Sequence, residues 1–272
     1  MLRDMSDDTP ERARDLARGG DMQGAAQTLK RYLEATPGDA SAHFQLAHML
    51  LEIGDASMAV QRFEQALALE PDNAVIHSDL GTALEALGNE GQAEASYRRA
   101  AQATPPFPPA SYNLALILCR RGEWQEAAGH LRAALGQAAG FHAARHQLGL
   151  ALNALGEEDG ARGCFDALLA YDPKNMEARR AIADMHMQHC RFADAAEQLE
   201  QCLELTPDDA RATLALGACL QELGRVDEAL THYRRLLLRD RRHYYDVVKK
   251  LTSASAGRFW LRSTELRRVL LD

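Results

Sequence analysis

The apolar positions in residues 74–105 predict a pair of short helices. Apolar side chains recur there at helical spacing, in a first run at Leu80, Ala83, Leu84 and Leu87 and a second run at Ala93, Tyr97 and Ala100. Gly88 separates the runs, since glycine readily adopts the left-handed conformation that ends a helix. Pro105 ends the second helix because proline has no amide hydrogen and clashes with the preceding turn. We expect the closest approach of the two helices at the small residues Gly81 and Ala93.

The same pattern recurs along the chain with a period of 34 residues. Prolines follow the period at Pro37, Pro71, Pro105, Pro173 and Pro207. Glycines follow it in a second phase at Gly20, Gly54, Gly88, Gly122, Gly156 and Gly224. Alanines follow it without a gap at Ala25, Ala59, Ala93, Ala127, Ala161, Ala195 and Ala229. One hairpin is too small to bury its own apolar faces, so the period predicts an all-α array of stacked helix pairs.

The repeated unit resembles the tetratricopeptide repeat, a helix pair of this length. Its first helix, helix A, carries a Leu-Gly or Leu-Ala pair, with counterparts here that begin at Leu46, Leu80, Leu114, Leu148, Ile182 and Leu216. Its second helix, helix B, carries an aromatic residue, with counterparts at Phe63, Tyr97, Phe165 and Tyr233 and leucine in the same place at Leu29, Leu131 and Leu199. The resemblance implies a right-handed superhelical solenoid of antiparallel helix pairs.

We expect seven repeats within residues 1–243. Their approximate bounds are 6–39, 40–73, 74–107, 108–141, 142–175, 176–209 and 210–243. The first repeat is polar and is expected to hold Pro10 inside its first helix, as an amino-terminal cap would.

Residues 244–272 are expected to form two C-terminal capping helices. The first presents an apolar face made of Tyr244, Val247, Val248 and Leu251. The second presents one made of Trp260, Leu261, Leu266, Val269 and Leu270. The rest of the second helix is basic, with Arg258, Arg262, Arg267 and Arg268. It could therefore instead be a helix for a partner or for self-association, or one that binds an anionic membrane or nucleic acid.

Composition and charge limit the classes of protein to which the chain can belong. Apolar residues make up 46% of the chain, which excludes a disordered protein. The net charge is −8, although residues 211–272 carry 13 basic against 7 acidic residues. A mostly acidic body argues against nucleic acid as the main partner. Five scattered cysteines, a charged amino terminus and the lack of a long apolar run lead us to expect a cytoplasmic protein without disulfides or a membrane span.

Potential metal ligands cluster at His186, His189 and Cys190, which would share one helical face. The period offers a simpler interpretation, because His186 occupies the place of a leucine in other repeats and Cys190 that of the turn glycine. We therefore expect no metal and no cofactor. The chain has no phosphate-binding loop, no nucleophile motif and no Glu-flanked zinc helix. We expect the protein not to be an enzyme.

The resemblance implies that partners bind the face of the helices A that lines the concave groove. The candidate residues on that face are Phe44, Gln45, His48, Asp79, Thr82, Tyr112, Asn113, Leu116, His146, Gln147, Leu150, Asn153, Arg180, Asp184 and Met187. Four of them, Gln45, Asp79, Asn113 and Gln147, form a ladder of amides and a carboxylate that can bond the main chain of an extended peptide. This ladder resembles the asparagine ladder of O-linked N-acetylglucosamine transferases.

The apolar candidates leave two interpretations open. Phe44, Tyr112, Leu116, Leu150 and Met187 would either anchor a bound peptide or pack against the next repeat, and anchoring is favoured for Phe44 and Tyr112. The clamp with which related domains grip the acidic tails of chaperones is not expected here, because its basic and asparagine positions are not kept. The predicted function is a non-catalytic adaptor that binds an extended peptide in its groove. A self-assembling scaffold and the recognition arm of a larger modifying enzyme are the alternatives.

Overall fold

The computed structural model describes residues 9–253 and 267–270, which are almost entirely helical and contain no β-strand. The helices of the first half are α1 (Pro10–Arg18), α2 (Met22–Ala35), α3 (Ala40–Ile53), α4 (Ala56–Leu69), α5 (Ala74–Ala86), α6 (Glu90–Gln102), α7 (Pro108–Arg120) and α8 (Trp124–Gln137). Those of the second half are α9 (His142–Ala154), α10 (Glu158–Tyr171), α11 (Met176–Gln188), α12 (Phe192–Leu205), α13 (Ala210–Glu222), α14 (Val226–Arg239) and α15 (Tyr244–Ser253). A 3₁₀ helix at Arg241–His243 precedes α15, and residues 267–270 are helical.

The chain divides into two compact units, residues 1–144 and residues 145–272. In each unit, consecutive helices pack as antiparallel pairs, and each pair packs on the next. The prediction of an all-α fold built from stacked helix pairs is therefore confirmed. The helices A from α3 to α13 begin at Ala40, Ala74, Pro108, His142, Met176 and Ala210, one period apart. The grouping of the helices into seven repeats with the bounds given above stays a prediction.

Left-handed residues end most of the helices A. The periodic glycines of the second phase all have positive φ, between 75° and 90°. Cys190 takes the same conformation, with a φ of 57°, and is the non-glycine residue that does so in the described chain. The sequence interpretation of Cys190 as a substitute for the turn glycine is thus correct. An L-residue in this conformation is strained, because its Cβ crowds the following carbonyl oxygen.

Two details of the predicted hairpins were wrong. Pro10 does not lie inside α1 but is its first residue, and the side chain of Thr9 caps that helix. Proline fits the first helical position because the amide hydrogen that it lacks would have no partner there. Leu87 lies just after the last residue of α5 and is exposed, so it does not belong to the buried face.

Small residues make the closest helix contacts. The periodic alanines have no exposed surface at all. The glycine of the Leu-Gly pair packs on the aromatic ring of helix B: a Cβ atom on Gly81 would lie 2.6 Å from Tyr97, and one on Gly149 would lie 2.6 Å from Phe165. Gly217 has the same relation to Tyr233. The expectation that Gly81 lies where the helices of one pair meet is confirmed, and Ala93 is fully buried.

A side chain near the start of helix A fixes the loop before it. His43 Nε2 lies 3.0 Å from the carbonyl oxygen of Pro37, and His77 Nε2 lies 2.8 Å from that of Pro71. Arg179 donates to the carbonyl of Pro173 in the same way. We call this contact, between the fourth residue of the repeat and the proline six residues earlier, the proline latch. In these three repeats it ties the loop to the helix that follows, and no single residue type marks it in the sequence.

The last helix covers the apolar end of the second unit. Val247 and Leu251 of α15 are fully buried, and Tyr244 and Val248 are partly buried against the same core. Leu270 is buried in this core as well, and Arg234 donates to the carbonyl of Val269. Arg267 and Arg268 are exposed. The other side chains of the second predicted capping helix, Trp260, Leu261, Leu266, Arg258 and Arg262, lie outside the described residues.

Candidate functional site

In the first unit, the candidate surface starts at a cluster of aromatic side chains on α3 and α4. The ring centroids of Phe44 and His48, both on α3, lie 4.6 Å apart. Both rings also contact Phe63 of α4, at 5.9 Å and 5.6 Å. Phe44 is therefore half-buried and packs within its own helix pair, while His48 is exposed. Phe44 therefore makes a packing contact, as one of its two interpretations had it, and this contact leaves one part of the ring accessible.

The ladder residues of the first unit differ in how they are bonded. Gln45 donates to Ser41, and its side-chain oxygen is buried without a partner. Asp79 on α5 lies 2.9 Å from Nε2 of His48 and is thus engaged by a neighbouring helix A. Asn113 on α7 is half-buried, and its side chain makes no hydrogen bond to any residue that the structure describes. Among the described residues, the ladder therefore offers an unbonded amide at Asn113, whereas the side-chain oxygen of Gln45 is unbonded but buried.

The remaining candidates of this unit lie on α5 and α7. The exposed Thr82 lies 3.1 Å from the hydroxyl of Tyr97, which donates to Glu85. Burial raises the pKa of Tyr97 well above its usual range. Tyr112 is half-buried, with its ring centroid 5.0 Å from that of Phe141, and burial raises its pKa as well. Leu116, one turn along α7, is partly exposed.

An ion-pair network that the sequence analysis missed joins α5, α6, α7 and α8. Arg120 lies 2.6 Å from Glu85, and Arg121 lies 2.6 Å from Glu94. Arg98 bridges Glu94 at 2.9 Å and Glu126 at 2.8 Å. Burial acts to raise the pKa of Glu94, but the hydrogen bonds and charges of Arg121 and Arg98 outweigh it and hold the pKa below its usual value. Opposite charges about one period apart were the signal that could have revealed this network.

In the second unit, α9 presents one apolar and two amide side chains. Leu150 is 36% exposed, which is high for a leucine in the middle of a helix A. Gln147 is half-buried, and its side chain has no hydrogen-bond partner among the described residues. Asn153 donates to Gln188 of α11 at 2.9 Å. His146 packs on Phe165 with 5.8 Å between the ring centroids, and burial lowers its pKa.

The α11 part of this surface is charged. Arg180 donates to Asp209, the N-cap of α13, at 3.1 Å. Asp184 lies 3.6 Å from Arg211, which the sequence analysis did not select. Burial raises the pKa of Asp184 even though Arg211, Arg180 and Lys250 act to lower it. Met187 is partly buried against the core of the unit.

The side chains of the His186–Cys190 segment do not converge. His186 faces Arg162 and Asp194, at 3.4 Å and 4.0 Å, whereas the exposed His189 lies 3.4 Å from Glu158. Arg191 also pairs with Glu158. No group of three or more potential metal ligands occurs among the described residues. These contacts are ion pairs and hydrogen bonds of an ordinary polar surface.

Sequence models of protein families identify the repeat. Three models, each described as tetratricopeptide repeat, match residues 50–117 and 186–251, residues 11–74 and 146–189, and residues 110–140. The chain belongs to the tetratricopeptide repeat family. Tetratricopeptide repeats are in general non-catalytic modules for protein–protein interaction. A comparison with curated proteins found no match.

Solved tetratricopeptide repeat structures share this fold. One from Parabacteroides merdae is 16% identical, with a TM-score of 0.64 over 96% of this chain and 95% of its own. PilW, a type IV pilus biogenesis factor, is 20% identical, with a TM-score of 0.66 over 78% of this chain and 98% of its own. YrrB, a tetratricopeptide repeat protein with an unusual peptide-binding site, is 21% identical, with a TM-score of 0.60 over 69% of this chain and 96% of its own. At these identities the likeness shows the fold alone. None of the described helices is long and apolar enough to cross a membrane.

Proposed function

We propose that this protein is a non-catalytic adaptor that binds an extended segment of a partner protein on the exposed faces of its helices A. The observation that carries the proposal is that Asn113 in the first unit and Gln147 in the second each have a side-chain amide without a hydrogen bond to any described residue, beside partly exposed apolar side chains. A side-chain amide both donates and accepts, so it can bond a peptide main chain regardless of the peptide's sequence. The peptide-binding site of YrrB is consistent with this proposal.

In the first unit, the binding surface would combine the amides with aromatic edges. Phe44 and Tyr112 are each fixed by a neighbouring ring, so they lose little side-chain freedom when a partner binds. Gln45 and Asn113 lie next to them in the sequence, on the same helices. This arrangement would allow an apolar contact and a main-chain hydrogen bond side by side on α3 and again on α7.

In the second unit, the surface would combine one amide with Leu150 and the charged side chains of α11. Leu150 is accessible to an apolar side chain of a partner, and Gln147 lies one turn before it. Arg180 and Asp184 are already held by Asp209 and Arg211, so they would orient a partner more than attract it. We propose a cytoplasmic location for the protein, in line with its reduced cysteines.

Photo-crosslinking tests this proposal on the full chain. A photoreactive amino acid at Leu150 or Leu116 should attach covalently to a partner enriched from extract of the source cell, and mass spectrometry of the cross-linked peptide should find an extended segment there. The same amino acid at Gln92, exposed on the helix B α6, should capture none of that partner. Capture at Gln92 with none at Leu150 and Leu116 would overturn the proposal.

Self-assembly is the second candidate function, and one observation favours it. Leu238 on α14 and Tyr245 on α15 are each 82% exposed, which is unusual for large apolar side chains in a soluble helix pair. Light scattering over a concentration series distinguishes the two functions. An adaptor remains monomeric at all concentrations, whereas a scaffold gains mass and loses that gain when Leu238 and Tyr245 are replaced by Ser.

A further inference from the structure

A pocket of about 290 Å³ lies in the second unit between α12, α13 and α14. Its apolar wall is made of Leu203, Pro207 and Leu236, and its polar wall includes His232 and Arg235 of α14. None of its lining residues belongs to the candidate surfaces described above. The pocket is therefore a separate feature of the helix B side, to which the proposed function assigns no role.

The proline latch takes a different form at this pocket. The latch position of α13 holds Thr213, whose hydroxyl donates to the carbonyl of Asp209 in its own helix at 2.8 Å. The carbonyl of Pro207 accordingly accepts no hydrogen bond from the described residues, unlike those of Pro37 and Pro71. Where His43 and His77 place a ring, Thr213 places only a hydroxyl and a methyl group. The space beneath the loop is open here, as it also is beside the latches of His43 and His77, which line pockets of their own.

Among the described residues, the charges around the pocket leave Arg235 without a carboxylate partner. Arg239 pairs with Asp208 at the rim, and Asp240 is held by Arg242 at 2.7 Å and faces His243 at 3.8 Å. Arg235 makes no ion pair with any carboxylate in the described part of the chain. Glu228, which faces His232 from outside the pocket, is paired with Arg225 at 2.7 Å. The guanidinium of Arg235 lies next to the apolar wall of the pocket.

We propose that this pocket binds a small organic carboxylate, whose carboxylate group pairs with Arg235 and whose hydrocarbon part packs on Leu203, Pro207 and Leu236. A guanidinium binds a carboxylate through two parallel hydrogen bonds, which a lysine or a single hydroxyl cannot provide. The volume admits a ligand of about ten non-hydrogen atoms, taking roughly 30 Å³ for each. A ring or a branched chain with one carboxylate has this size.

Titration of the full chain with defined probes tests the proposal. The probes are benzoate and isovalerate, their neutral amides, and inorganic phosphate, followed by amide chemical shifts or by calorimetry. We expect saturable binding of at least one carboxylate in the millimolar range or tighter, with its amide weaker by about tenfold or more because the charged hydrogen bonds are lost. Absence of saturable binding by both carboxylates, or tighter binding of phosphate, would overturn the proposal.

One variant and one control locate the site. Arg235→Gln removes the cation from the surface and should weaken carboxylate binding about tenfold or more, whereas Arg241→Gln, an exposed arginine outside the pocket, should leave it unchanged. Equal affinity of Arg235→Gln and the parent would overturn the proposal.

Discussion

The imidazole Nε2 of His77 donates to the carbonyl oxygen of Pro71 across 2.8 Å, and His43 repeats this contact with Pro37 one period earlier. A carbonyl oxygen only accepts, so Nε2 carries the hydrogen in both rings. The other ring nitrogen of each histidine is buried without a partner. Each ring is therefore fixed in place, and it joins a loop to the helix that follows.

Replacing His77 by Ala should destabilise the protein by about 1–2 kcal/mol, because the variant loses a buried hydrogen bond and leaves a small cavity. The matched control is His189→Ala, which removes an exposed histidine whose ion pair with Glu158 contributes little. Urea unfolding followed by circular dichroism measures both changes. Equal midpoints for the two variants would show that the proline latch does not stabilise the loop.

Gly149→Ala should destabilise the protein by about 1–3 kcal/mol, since the new Cβ would lie 2.6 Å from the ring of Phe165. Gly163→Ala is the matched control, because nothing lies within 4 Å of its new Cβ and alanine favours a helix more than glycine does. The control should melt at or above the parent temperature. Adding Phe165→Leu to Gly149→Ala should recover part of the loss. Melting of Gly149→Ala within a degree of the parent would contradict the close contact.

Cys190→Gly should stabilise the protein by about 1 kcal/mol, because residue 190 has a φ of 57° that glycine adopts without strain. Cys190→Ala keeps the Cβ and should give no such gain. Thermal melting of the two variants under reducing conditions separates backbone strain from any effect of the thiol. A glycine variant that melts no higher than the alanine variant would refute this explanation.

The pH dependence of stability should reveal the ion pairs of Glu94. Arg121 and Arg98 hold the pKa of this carboxyl below its ordinary value of 4.5, against the effect of burial. A group whose pKa is lowered in the folded state stabilises the fold above its unfolded value and loses that contribution as the pH falls through the folded value. The stability difference between the parent and Glu94→Gln should therefore be largest above about pH 4.5 and shrink below it. A difference that is constant from pH 7 to pH 3 would show that the pairs do not act through ionisation.

The period of the sequence predicts the fold but not the latch or the ion pairs. Residues equivalent to Leu80, Gly88 and Ala93 recur at fixed intervals because every repeat packs its two helices in the same way. The roles of these residues therefore follow from their spacing alone. The proline latch uses histidine in two repeats and arginine in another, whereas Thr213 at the same position bonds its own helix, and only the structure shows which of these side chains reach the carbonyl. The pairs of Arg120 and Arg121 depend on how neighbouring repeats stack, which the pattern leaves undetermined.

The candidate surface is less predictable than the fold for a related physical reason. Spacing places Phe44 and Asn113 on the face of a helix A, but it does not show which of their atoms will be covered by neighbouring side chains. The structure shows that Phe44 contacts the ring of Phe63 and that Asp79 is hydrogen-bonded to His48. Asn113, in contrast, makes no side-chain hydrogen bond to the described residues. Binding itself depends on a partner whose chemistry the chain does not encode in any motif.

The central claim, that the faces of the helices A bind an extended peptide, is tested most directly by an affinity comparison. Peptides that bind the full chain are selected from a random displayed library and titrated by fluorescence anisotropy against the parent and two triple variants. The first replaces Gln45, Asn113 and Gln147 by Ala; the second replaces Gln92, Gln102 and Gln125, exposed amides on α6 and α8, by Ala. Both should melt as the parent does. We predict that the first loses about tenfold or more in affinity, at roughly 1 kcal/mol for each lost hydrogen bond, and that the second loses none. An unchanged affinity of the first variant would contradict the claim.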